Sequence, residues 1–92
     1  NSWRILFSIA NVFSYNEYFK EAIPMWQKTF DCMPKPRYTD SFEAMAQCCI
    51  RMGDHERAVE YYKKELELLR EDWGLKYGAE VDALEEKIRA LQ

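Results

Sequence analysis

Ninety-two residues, 48% of them hydrophobic and 15% aromatic, suffice for one small domain with a modest core. The net charge of −3 is unevenly placed: residues 1–53 hold six Lys/Arg against five Asp/Glu, and residues 54–92 hold seven against eleven. That balance excludes a phosphate backbone as direct partner, because nucleic-acid binding relies on a clustered basic surface. No apolar run reaches the roughly 18 residues of a membrane span, and no charged segment followed by an apolar stretch marks a secretory signal. The chain opens at Asn1 without an initiator Met, which predicts a fragment of a longer protein. Its cysteines, Cys32, Cys48 and Cys49, are odd in number. Cys48 and Cys49 are adjacent in a predicted helix, so their side chains diverge by about 100° and cannot bridge each other. Three buried, reduced thiols fit a cytoplasmic protein.

The apolar spacing is helical nearly throughout. Residues 3–14 place Leu6, Ile9, Ala10 and Phe13 on one stripe. Ser14-x-x-Glu17 forms a capping box for the next helix, with Asn16 as a competing N-cap. That second helix runs to about Cys32, where Met33-Pro34-Lys35-Pro36 stops it. Pro24, lying well past the first turn of a helix that starts near Glu17, should distort it. Thr39 or Asp40 caps a third helix reaching Met52, and Asp40-x-x-Glu43 adds acid at its positive end. Gly53 supplies a left-handed terminator and Asp54 the next cap. A fourth helix spans His55 to about Asp72, supported by the spaced pairs Glu60–Lys64 and Lys63–Glu67. Trp73 to Gly78 reads as a turn. A fifth helix covers Ala79 to Leu91, with Val81, Leu84, Ile88 and Leu91 on one face. The fold class that follows is all-α with five helices.

The chain also repeats itself. Ala22-x3-Trp26-x3-Phe30-x3-Pro34 is echoed 36 residues later by Ala58-x3-Tyr62-x3-Leu66, and Leu6, Ile9, Ala10 and Phe13 match Phe42, Met45, Ala46 and Cys49. A period of this length means stacked units that cannot bury their apolar faces alone. Two helices per unit, a small residue early in each and an aromatic four residues after the second Ala resemble the tetratricopeptide repeat (TPR). The resemblance covers residues 4 to 69 and is strongest over Met52-Gly53-Asp54-His55-Glu56-Arg57-Ala58-Val59-Glu60-Tyr61-Tyr62-Lys63-Lys64. It implies a helix-pair solenoid: repeat 1 about 4–36, repeat 2 about 39–72 and a capping helix about 79–91, in a single domain. Glu17 stands where Gly53 stands in the second unit, Pro24 interrupts the second helix, and Thr29 and Glu65 replace a usually small residue. The spacing from Arg51-Met52-Gly53 through Trp73-Gly74-Leu75 to Glu80-Val81-x-x-Leu84 is similar to the bacterial transcriptional activator domain, although Tyr77 and Ala79 occupy places where that family often has Pro.

No catalytic chemistry is legible. His55 is a lone histidine with no acid–base partner at suitable spacing. The cysteines and His55 match no usual zinc pattern, and Cys49 lies on the core stripe, where a thiol acts as a small hydrophobe. Gly53, Gly74 and Gly78 are isolated turn glycines rather than a phosphate loop. The Glu/Asp run of the last two helices reads as a solvated face or an acidic docking surface. No enzyme activity, cofactor or metal is expected.

What remains is a binding surface. In helical projection Arg4, Phe7, Asn11 and Ser14 lie roughly 130–140° from the centre of the first helix's core stripe, with Asp40, Glu43, Gln47 and Ile50 as their equivalents. Tyr15 and Arg51 extend the two rows, and Phe7 and Tyr15 fall off the stripe. The TPR resemblance implies that this concave face holds an extended peptide or a helix. Family members that grip a C-terminal carboxylate use Lys and Asn there. Asn11 fits, but Phe7 stands where a Lys is needed, so carboxylate capture is not expected. An aromatic beside Asp40 and Glu43 suits an apolar segment flanked by Lys or Arg. The predicted role is therefore a protein–protein interaction module, as the C-terminal regulatory part of a bacterial transcriptional regulator whose DNA contacts belong elsewhere. The alternative is a self-association module forming a homodimer within a multidomain signalling protein or enzyme.

Overall fold

The buried alanines set the architecture. In the computed structural model, which describes residues 2–92, the chain forms α1 (Trp3–Tyr15), α2 (Phe19–Asp31), α3 (Asp40–Arg51), α4 (His55–Trp73) and α5 (Ala79–Leu91). Among the described residues there is no strand. Each helix packs on the next in sequence, giving the expected all-α, TPR-like arrangement. Ala10 of α1, Ala22 of α2, Ala46 of α3 and Ala58 of α4 are all fully buried. A methyl group at each of these positions lets neighbouring helix backbones approach closely. Larger side chains fill the space around them: Trp26, Phe30, Phe42, Met45, Tyr62 and Leu69 belong to one continuous core. Phe30 and Phe42 join the first helix pair to the second, with ring centroids 4.5 Å apart. Val81, Leu84 and Ile88 of α5 are buried in the same core, while Glu85, Glu86 and Arg89 stay in water, as expected of a covering helix.

The turns inside the two helix pairs are built alike, and this corrects the expected capping of α2. Glu17 is not the acid of a capping box. It adopts the left-handed conformation (φ 66°), just as Gly53 does 36 residues later (φ 80°). The amide of Tyr18 donates to the Phe13 carbonyl at 2.8 Å, and that of Asp54 to the Cys49 carbonyl at 2.8 Å. The amides of Glu17 and Gly53 donate to the carbonyls of Ser14 and Ile50 at 3.0 Å. Both ends are thus closed by the same pair of reversed bonds that satisfies orphan helix carbonyls. Asn16 ends α1 instead of starting α2, and its side-chain amide donates to the Val12 carbonyl at 2.9 Å. The local pattern read as an N-terminal signal is a C-terminal one, because the helix-pair geometry decides where the chain must reverse.

Other expectations shift by a residue or a face. Thr39 occupies the N-cap of α3 without a side-chain bond, and α3 ends at Arg51. Asp54 caps α4 as expected, accepting from the Arg57 amide at 3.2 Å. Trp73 belongs to α4 rather than to the following turn, which Gly74 opens with φ 66°. Pro24 is the sixth residue of α2, on its exposed side, and the helix runs through it. Of the first helix's core stripe only Ala10 is buried; Leu6 and Phe13 are half-buried and Ile9 is exposed, because α1 has no helix packed on its outer side. Cys48 and Cys49 are buried, but Cys32 is exposed, which corrects the reading of three buried thiols. Glu60–Lys64 and Lys63–Glu67 do not form ion pairs; Lys64 lies over the Tyr61 ring at 5.6 Å.

The connection between the two pairs is tied down by contacts no sequence pattern announced. Arg37 grips Asp72 near the end of α4 through Nε to Oδ2 at 2.8 Å and Nη2 to Oδ1 at 3.1 Å, and its backbone amide reaches Oδ2 at 2.9 Å. The guanidinium also lies over the Phe30 ring at 4.6 Å. The Trp73 indole donates to the Arg37 carbonyl at 2.7 Å, and Tyr38 stacks on Trp73.

Candidate functional site: a groove between the first helices of each pair

Residues three and four apart share one side of a helix. On α1 that row is Arg4, Phe7, Ser8, Asn11 and Ser14; on α3 it is Asp40, Glu43, Ala44, Gln47, Cys48 and Arg51. The two rows line three adjoining hollows. The first holds Trp3, Arg4, Phe7 and Ser8 against Tyr38 and Asp40. The second, about 350 Å³, holds Phe7, Asn11, Trp26, Thr39, Asp40, Glu43, Ala44 and Glu65. The third holds Asn11, Ser14, Phe19, Trp26, Ala44, Gln47, Cys48 and Arg51. Because neighbouring hollows share Phe7 and Asp40, then Asn11, Trp26 and Ala44, they form one groove.

Eight of the nine predicted site residues line this groove: Arg4, Phe7, Asn11, Ser14, Asp40, Glu43, Gln47 and Arg51. Tyr15 does not. It is 87% exposed and lies outside the hollows, since one residue past Ser14 turns the side chain about 100° away. Ile50, read as the equivalent of Ser14, is half-buried against the core.

Several lining groups are already engaged. Ser14 Oγ accepts from the Trp26 indole at 2.8 Å and lies 3.7 Å from Cys48 Sγ. Gln47 donates to the Tyr62 hydroxyl at 3.0 Å and to Glu43 at 3.3 Å. Burial, with Glu43 nearby, pushes the Tyr62 hydroxyl up to about 12. Lys87 of α5 donates to both oxygens of Glu43, at 3.2 and 3.3 Å, and lies over the Tyr62 ring. Arg51 pairs with Glu17 at 3.2 Å and covers the Phe19 ring. Burial raises the thiols of Cys48 and Cys49, so both are protonated and unreactive at neutral pH. Among the described residues, Asp40 and Arg4 make no ion pair.

Aromatic rings run along one end of the groove. Trp26 and Phe7 meet edge to face at 5.0 Å and Phe7 and Trp3 at 6.3 Å, while Trp3 and Tyr38 are tilted at 5.7 Å. Trp3, Trp26 and Tyr38, outside the two predicted rows, also wall the groove. Sequence reasoning missed Glu65, which lines the groove's centre from α4 and is buried. The one available signal was a carboxylate standing where the repeat usually has a small residue.

Residues 41–72 match a family model described as Tetratricopeptide repeat. The matched stretch takes in α3 from its second residue and α4 to its penultimate one. No curated protein matches the chain. Tetratricopeptide repeats generally mediate protein–protein interaction or scaffolding and are typically non-catalytic. No helix of the described residues is long and apolar enough to cross a membrane.

Proposed function

We propose that this chain is a protein–protein interaction module that holds a partner segment in the groove between α1 and α3. The observation that carries the reading is the groove itself: two helical rows, an aromatic wall at one end and carboxylates at Asp40 and Glu43, with no metal or cofactor required. The partner segment is apolar and flanked by Lys or Arg. The groove is short, so affinity is modest unless flanking repeats add area. In this reading residues 4–36 and 39–72 are the two repeats and 79–91 their cap. The test is a double charge reversal, Asp40→Lys with Glu43→Lys, in the intact protein. Binding of the natural partner should fall more than about tenfold with the helical circular-dichroism signal retained. Unchanged binding removes this face from consideration.

The narrower reading is the C-terminal regulatory part of a cytoplasmic bacterial transcriptional regulator, making no nucleic-acid contact of its own. It is supported by the similarity of the stretch from Arg51 to Leu84 to the activator domain. A winged-helix or helix-turn-helix pattern upstream in the full gene would establish it, and an unrelated upstream domain would remove it.

A second reading, self-association, is favoured by one observation. Ile5, Ile9 and Val12 lie at i, i+4 and i+7 on α1 and are 63%, 40% and 59% exposed. An uncovered apolar stripe of this kind suits a second copy. Sedimentation would then give a dimer for the native chain and a monomer for Ile9→Asp.

A further inference from the structure

Among the described residues, Glu65 is the one acidic or basic residue buried as a whole, at 7% exposure. Its Oε1 has no hydrogen-bond partner among the described residues. A buried acceptor left unpartnered is costly, and in most proteins such a group is satisfied by protein or ligand. Glu65 also lines the central hollow of the groove, a space of about 350 Å³. The Glu65 carboxyl thus combines a sealed, unpartnered oxygen with a place in the lining of an open, side-chain-sized hollow.

The surroundings specify the chemistry of that other half. α3 brings Asp40 and Glu43 to the same hollow. From α5, Glu80 and Lys87 act on Glu65, and Lys87 is held by Glu43. Tyr62, one turn back on α4, carries a neutral hydroxyl. α1 and α2 contribute Phe7, Asn11 and Trp26, which are uncharged. Four carboxyls thus face one ammonium, and an anionic group has nothing to meet there. The rings of Phe7 and Trp26, in edge-to-face contact, offer a wall on which a cation and its alkyl stem both rest favourably.

We propose that the central hollow takes one basic side chain of the partner segment, whose cationic head pairs with the Glu65 carboxyl through the part of it that lines the hollow, while its stem lies along Phe7 and Trp26. This rests on the groove being the binding site and names the group it selects. Burial, reinforced by Glu43, holds the vacant Glu65 carboxyl up at about 8, so at neutral pH it is largely the neutral acid. Docking of a cation draws the proton off to solvent and leaves a carboxylate–cation pair. Affinity for a basic segment therefore rises with pH up to about 8, by at most about tenfold per unit.

The test uses the 92-residue chain and three capped heptapeptides of alanine and leucine that differ only in the central residue: lysine, arginine or norleucine. Binding is followed by calorimetry. The lysine or arginine peptide should bind at least about tenfold tighter than the norleucine peptide, a difference set by one charge-assisted hydrogen bond. Which basic peptide is preferred distinguishes an ammonium from a guanidinium. Glu65→Gln should cut the preference for the basic peptides over norleucine to about threefold or less, and it should flatten the pH dependence. A Glu65→Gln variant that keeps the full preference overturns the assignment while leaving the groove standing. A pH-independent preference in the native chain does the same, since it would assign the cation to Asp40 and Glu43. Peptides that bind but ignore Phe7→Ala overturn the groove reading itself. No binding of any peptide at about 1 mM overturns the proposal, and the charge reversal against the natural partner then decides the groove separately.

Discussion

Among the described residues, every polar contact of the Asp72 carboxylate goes to Arg37: two from the guanidinium fork and one from the backbone amide. The carboxylate has no exposed side-chain surface, yet it lies near the edge of the protein, shielded by that fork rather than sunk in the core. The side-chain bonds first, and the amide second, lower it from an ordinary value of 3.8 to about 2. A depressed carboxylate stabilises the fold fully above its unfolded value and loses that contribution as pH falls through its folded one. The urea midpoint of the native chain should therefore exceed that of Asp72→Asn at pH 7, and the gap should close between about pH 4 and pH 2. Arg37→Ala should behave like Asp72→Asn, with the double variant little worse than either, because the two residues act as one unit. Two measured losses that simply add would show that they do not.

At the scale of elements, the most specific feature is the shared turn. Glu17 holds a backbone conformation that Gly53 holds in the second pair, and it does so with a Cβ. A left-handed residue other than Gly costs about 1–2 kcal/mol. Its ion pair with Arg51 joins two exposed side chains and offsets little of this. Glu17→Gly should raise stability by about 1 kcal/mol, and Gly53→Ala should lower it by a similar amount. Space is not the reason, since nothing lies within 4 Å of a Cβ built on Gly53. Thermal unfolding of the two variants checks both signs, and equal destabilisation by both would mean that the turns are not equivalent. Helix positions were legible because apolar spacing alone reports them. The first turn was misread because Ser14, Asn16 and Glu17 carry valid start signals, and only packing of α1 on α2 decides that the chain is ending a helix there.

For the whole molecule, α5 decides whether the solenoid is closed. Val81, Leu84 and Ile88 cover one side of α4, and Lys87 reaches across to Glu43. Burying three aliphatic side chains contributes about 5–9 kcal/mol before entropy is charged against it, comparable with the whole net stability of a small domain. Deletion after Gly78 should therefore give an aggregating or unfolded product, read by light scattering and circular dichroism. It should also free Glu43 and leave the groove more acidic. A soluble, equally stable truncation would show that α4 does not need its cover.

The amino-acid sequence by itself determined the helices, the 36-residue repeat, the four alanines that let the pairs approach, and the rows of α1 and α3 that face the groove. These are set by spacing along the chain, which helical geometry converts directly into a face. Only the tertiary structure decided that Trp26 walls the groove, that Arg37 locks the linker to Asp72, and that Glu65 sits unpartnered on the groove floor. Each of these joins residues from different helices. On α4 alone Glu65 is one acid among several in a row that alternates with Lys and Leu. Its burial follows from what α3 and α5 bring against it, and no periodicity within a single helix records that.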